Sequence, residues 1–302
     1  MDWLRNVVVG CGLVVLGVFF ARTNGNAVVQ TPDYEQTAAS RAELARSSRH
    51  MEYVHYEDQT GKPLTGFLVY PEVNQAADSV IVVFTGWAMT PWIQVIADRL
   101  ARDGFIALVP DLLSGYGPDG GASDSFPSKL AHREGYPGDY RVDADDVRQA
   151  MGNLDEEEVQ RRLRASVRYV RELPATTDNV SVIGFCWGGN RAFELATREP
   201  TLKTAFIFYG SPPDVDAMSN ISCPVYGFYG ENDFRVNATI EDTKKAMAAA
   251  GKAYEPIIYE GVGHGFIQAG TGDRVIADPV GDAAARQQTD EAWSRLVRLL
   301  RQ

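Results

Sequence analysis

The chain has little cysteine and little histidine, three and four residues among 302. Cys11, Cys186 and Cys223 cannot build a disulfide framework, and they lack the close paired spacing of a zinc site, so each has to be judged alone. With only His50, His55, His132 and His264 available, the choice of a general base is narrow. Positive charge is also scarce. Lys and Arg number 29 against 40 Asp and Glu, a formal net charge of -11. A surface of that sign disfavours phosphate backbones and anionic headgroups, which are held by releasing counterions to basic groups, and nucleic acid is excluded as a partner. No internal repeat is present.

Apolar material is plentiful: 45% of residues are hydrophobic, enough for one large α/β domain. After Met1–Arg5, residues 7–21 form an unbroken run of apolar residues and glycine, followed by polar residues 22–26. The run is short against the roughly 20 residues that cross a bilayer. Residues 1–27 are therefore expected to be a signal peptide or a membrane anchor, with 4–21 as the tether and Gly25 and Ala27 as a small-x-small cleavage pattern. A buried helix of the fold is the alternative. The expected location is exported, periplasmic or membrane-anchored. Cys11 belongs to the apolar run. Residues 28–50 read as a polar arm with a short helical pattern near 37–46, and the catalytic domain as 51–302.

From residue 51 the pattern alternates between strands and helices, which predicts a mostly parallel sheet covered by helices on both faces. Strands are expected at 51–56, 65–70, 79–85, 105–110, 180–185, 204–209, 225–229 and 255–259. Helices are expected at 91–102, from 155 to before Pro174, and at 189–198, 239–250 and 283–300. Asp155 with Glu158 three residues on suggests a reciprocal capping box. Residues 112–140 read as a long loop rich in Gly, Pro, Asp and Ser, a candidate cover over a site.

One stretch carries chemistry. Gly184-Phe185-Cys186-Trp187-Gly188-Gly189 lies between a buried strand and a helix, the setting of a nucleophile elbow. So tight a turn crowds its flanks, and the positions two before and two after the nucleophile must be glycine. Helix-terminal amides would favour a negative sulfur and accept an oxyanion. The backbone N–H of Trp187 is one expected donor, and that of Gly86 or Trp87 the second. Asp233, in Gly230-Glu231-Asn232-Asp233, and His264, in Gly261-Val262-Gly263-His264-Gly265, follow the next two strand ends in the order nucleophile, acid, histidine. A thiol is only partly ionised at neutral pH, so an imidazole must take its proton and a carboxylate must fix the imidazole. Glu231 is the alternative acid. Cys223, before Pro224, reads as buried and inert. His50, His55 and His132 are not placed with the triad.

These motifs, with Pro110-Asp111-Leu112 after a strand and Gly263-His264-Gly265-Phe266, resemble the dienelactone hydrolase family over residues 53–300. The resemblance implies an α/β-hydrolase fold with an eight-stranded core. It also implies cofactor-free hydrolysis through a thioester, with activated esters or lactones as small-molecule substrates. Family members place a glutamate after the strand corresponding to 79–85, where this chain has Thr85-Gly86-Trp87. Their substrate-gripping arginines correspond here to Ser114 or Gly115 and to Ile267 or Gln268, which favours a neutral or apolar ester. Trp87, Tyr116 and Phe234 are the expected pocket residues, with Trp187 beside them. A broader esterase or thioesterase of envelope substrates, and a non-catalytic binding module on the same scaffold, are the competing readings.

Overall fold

The computed structural model describes residues 34–126, 144–271 and 282–302. The apolar run at 7–21 and His132, with residues 127–143 of the long loop, lie outside the described residues. Among the described residues no helix is long and apolar enough to cross a membrane.

The described residues form one eight-stranded sheet: β1 (Met51–Glu57), β2 (Pro63–Val69), β3 (Ala77–Val83), β4 (Ile106–Asp111), β5 (Thr176–Phe185), β6 (Thr204–Phe208), β7 (Val225–Gly230) and β8 (Tyr254–Tyr259). The order across the sheet is β1-β2-β4-β3-β5-β6-β7-β8. β2 runs antiparallel to β1 and β4, and every other pair is parallel. β4 and β6 are buried along their whole length, as strands covered on both faces must be. The eight-stranded, mostly parallel sheet expected from the sequence is present.

The helices are α1 (Tyr34–Arg46), α2 (Pro91–Arg102), α3 (Ala144–Gly152), α4 (Glu156–Glu172), α5 (Trp187–Arg198), α6 (Phe234–Asn237), α7 (Ile240–Ala249) and α8 (Asp282–Leu300). The chain steps from β3 through α2 back to β4, then through α4 forward to β5. Right-handed crossovers put α2 and α4 on opposite faces, and the reversal opens a crevice outside the carboxyl ends of β3 and β5. α8 is tied to the α2 turn by Trp293 Nε1, which donates to Asp103 Oδ2 at 2.8 Å.

Three local readings change. β5 starts at Thr176, four residues earlier than expected, because polar Thr177 and Asn179 bond to Asp78 in β3 instead of showing an apolar pattern. α3 lies between the expected loop at 112–140 and the helix expected from 155, where the sequence predicts no element, and buries Val147, Ala150 and Met151. The reciprocal capping box is half made: Asp155 accepts from the Glu158 amide, but the Glu158 carboxylate turns instead to Arg162 at 2.7 Å, Lys62 at 3.2 Å and Tyr116. Two cations offer it more than a single orphan amide would.

Within residues 34–50, α1 lies against α2. Buried Asp98 of α2 receives Arg49 Nε and Nη2, both at 2.7 Å, and Ser47 Oγ at 2.7 Å. Glu43 adds a paired contact to Arg99. Asp98→Ala strands Arg49 without its carboxylate and should lower stability by about 3 kcal/mol, the scale for breaking a largely buried ion pair. Urea unfolding measures this, and an unchanged midpoint would show that the 34–50 segment contributes nothing.

Candidate active site

Cys186 sits where β5 hands over to α5, with φ 55 and ψ -117. A left-handed backbone on a non-glycine residue costs about 1 kcal/mol or more and persists only where neighbours over-determine it. Here they do. A Cβ on Gly188 would meet the Phe84 and Val83 carbonyl oxygens at 2.2 and 2.4 Å, and one on Gly184 would meet the Gly188 carbonyl oxygen at 2.0 Å. The first turn of α5 thus packs directly on the end of β3, and only glycine permits it. The Cys186 amide donates to the Phe208 carbonyl at 3.0 Å, locking the elbow to β6.

The acid and histidine loops follow the last two strands and are zipped together. The Glu231 amide donates to the Tyr259 carbonyl and the Asn232 amide to the Val262 carbonyl, each at 2.9 Å. The Glu231 carboxylate accepts from the Gly261 amide at 2.9 Å, which commits it to bracing the histidine loop. Asp233, 6% exposed, accepts from His264 Nδ1 at 2.5 Å, leaving Nε2 for the sulfur. Of the two acids that the sequence leaves open, it is Asp233 that meets the imidazole.

Electrostatics bind the three groups into one unit. Burial pushes the Cys186 thiol up, but the hydrogen bond and charge of His264, with the Trp187 amide and Arg235 adding, bring it below the ordinary thiol value. Burial pulls His264 down, yet hydrogen bonds to Asp233 and Cys186, and their charges, raise it to about 9. Both shifts run in the same sense, the thiol toward its ionised form and the imidazole toward its protonated form. Cys223 is its counterexample: with burial dominant and no cation beside it, its thiol rises to about 11.

The other expected residues separate. Trp187 lies on the elbow, its ring stacked on Phe84 and covered by Arg191 at 5.1 Å. Trp87 lies in the loop after β3, half-buried, with Arg148 5.7 Å from its ring, and its amide donates at 3.3 Å to Thr85 Oγ1. That bond is long enough to be exchanged for a stronger acceptor. Phe234 follows Asp233 and is 77% exposed. Tyr116 is drawn elsewhere: its hydroxyl bonds Glu158 Oε2 at 2.7 Å and Arg162 covers its ring. Ser114 is buried, bonded to the Thr65 amide and the Asp111 carbonyl, and Ile267 is buried, so neither position offers a cation. His55 lies on β1 with Thr65, and His50 is exposed beside Glu52. Among the described residues no group of three or more His, Cys, Asp and Glu could hold a metal.

Tyr209 is a site neighbour that sequence reasoning missed. It is fully buried, has φ 42, and its ring centroid lies 4.8 Å from that of His264. It reads as the last apolar residue of a strand, and the only hint is the Gly210 that follows.

Sheet, elbow and strand-end loops together define an α/β-hydrolase. The family model described as the Dienelactone hydrolase family matches residues 64–302, and the chain belongs to that family. It is 28% identical over 267 residues to a candidate carboxymethylenebutenolidase of Saccharolobus solfataricus, covering 83% of this chain and 98% of that one. In fold it is similar to a candidate dienelactone hydrolase from Klebsiella pneumoniae, with TM-score 0.67, 20% identity, and coverage of 85% and 100%. A dienelactone hydrolase-like promiscuous phosphotriesterase from metagenomic libraries matches with TM-score 0.63, 21% identity, and coverage of 84% and 99%.

The coupling has a measurable sign. Asp233→Asn removes the charge that raises His264, so the imidazole loses its proton at lower pH, and the Cys186 thiol, without its cation, rises. Iodoacetamide alkylation of Cys186 at pH 7 should slow by about tenfold or more, since one pKa unit is about a tenfold change. The midpoint of the rate against pH should move upward. An unmoved midpoint would separate Asp233 from the thiol.

Proposed function

We propose that the chain hydrolyses carboxylic esters or lactones with Cys186 as nucleophile, His264 as acid and base, and Asp233 as the carboxylate that orients the imidazole. The observation that carries this reading is the contact of a lowered-pKa thiol on an elbow with a histidine held by a buried aspartate. The thiolate adds to the substrate carbonyl carbon, and the oxygen that becomes negative is received by the Trp187 amide and the amide of Trp87. As the carbonyl re-forms, the C–O ester bond breaks, and His264 Nε2 gives its proton to the departing alkoxide. In a lactone that alkoxide stays attached to the acyl group. Water then passes a proton to His264 and attacks the thioester, and the Cys186 thiolate leaves from the second tetrahedral intermediate.

Substrate preference is proposed from the residues that the family resemblance places near the site. Ser114 or Gly115, and Ile267 or Gln268, are uncharged where the family resemblance implies arginines, while aromatic Trp87 follows β3 and exposed Phe234 follows Asp233. This supports a neutral or apolar ester or lactone over a dicarboxylate. Export, with residues 4–21 as a signal or tether, is part of the same proposal and rests on the apolar run.

Cys186→Ala and His264→Ala should each reduce turnover of p-nitrophenyl butyrate and of a small neutral lactone by about a thousandfold or more. Circular dichroism should be unchanged. Retained turnover in the Cys186 variant would overturn the mechanism, and a more than tenfold preference for the ester would identify a general esterase.

A further inference from the structure

The loop after β3 carries the second oxyanion amide in a conformation that does not hold itself. Ala88, buried, has φ 64, a left-handed backbone on a non-glycine residue. On one side the loop runs beside the elbow: a Cβ on Gly86 would lie 3.9 Å from that of Trp187, an ordinary van der Waals distance. On the other side, directly after Ala88, the Met89 amide donates to Ser123 Oγ at 3.3 Å. Ser123 is in turn gripped by Asp111, at the end of β4. Its hydroxyl donates to Asp111 Oδ1 at 2.6 Å and its amide to Oδ2 at 2.8 Å, while the Leu113 amide also donates to Oδ1 at 3.1 Å. Both residues are buried.

A hydroxyl can donate and accept at once, and that property makes Ser123 a link and not an end point. Its proton goes to the carboxylate, which fixes the rotor and turns a lone pair toward the Met89 amide. Asp111 is anchored in the sheet, so the chain Asp111, Ser123, Met89 fastens the loop to the strand adjacent to β3. An oxyanion donor is effective only when it is held in place before charge develops, because a donor that must reorganise forfeits most of its effect.

We propose that Ser123, held by Asp111, is a positioning residue that presets the Gly86–Met89 loop so that its amide meets the oxyanion formed at Cys186. The assignment rests on the hydrolytic reading above and adds residues outside the triad and the elbow.

The test separates the oxyanion from the nucleophile. Alkylation of Cys186 by iodoacetamide displaces iodide at a saturated carbon and creates no oxyanion, whereas ester hydrolysis creates one. Ser123→Ala should lower kcat for p-nitrophenyl butyrate by about tenfold to a hundredfold, with little change in KM. The rate of Cys186 alkylation at pH 7 should stay as in the wild type. Ser123→Thr, which keeps the hydroxyl, should recover most of kcat, and Asp111→Asn, which keeps shape but loses an acceptor, should fall with Ser123→Ala. Thermal unfolding identifies any variant that fails to fold, and Asp111→Asn then carries the same comparison. Wild-type kcat in Ser123→Ala, a parallel loss of alkylation, or no recovery by threonine would each overturn the proposal. Failure of the hydrolytic reading is distinguished beforehand, because Cys186→Ala would then keep the turnover of the wild type.

Discussion

The contact on which the site depends is the packing of the α5 first turn against the carboxyl end of β3. With no side chain at Gly184 and Gly188, backbone meets backbone there, and Cys186 is driven to φ 55 at the apex. The same contact places the sulfur at the amino end of a twelve-residue helix, where unpaired amides favour negative charge. It also brings the end of β3 against the first turn of α5. A wider turn would move the sulfur away from that helix-end charge.

Charge then organises what backbone geometry has positioned. Buried separately, a thiol would be neutral and inert, as Cys223 is, and an imidazole would be neutral too. Brought together with Asp233, each opposes the desolvation of the other, so that the thiol is lowered and the imidazole raised where burial alone would do the opposite. Glu231 shows how nearby carboxylates divide labour: one meets the ring, and the other meets the backbone amide that holds the ring's loop in place.

Outside the site, buried polar groups fasten the irregular segments to the sheet and helices. Arg162 donates to the Leu112 and Ser114 carbonyls, Asp111 grips Ser123, and Asp98 holds Arg49. Loops cannot satisfy their own backbone groups as strands and helices do, so such links decide where they lie. The segment after β4 is held to the sheet by bonds that no periodicity announces.

The sequence by itself determined the element order, the parallel sheet and the elbow, because glycine spacing, apolar runs and helix starts are local and each is dictated by neighbouring residues. It narrowed the candidate nucleophile to Cys186 by its place between strand, glycines and helix and the candidate base to His264 among four histidines, and it left Asp233 and Glu231 open as the acid. Only the tertiary structure decided between those two acids, took Tyr116 into the Glu158–Arg162 cluster, made α3 and the early start of β5, and set Tyr209 beside His264. It also joined Asp111 to Ser123 and Met89. These are pairings between residues distant in the chain, whose polar atoms choose partners by where the sheet delivers them, and sequence distance carries no record of that choice.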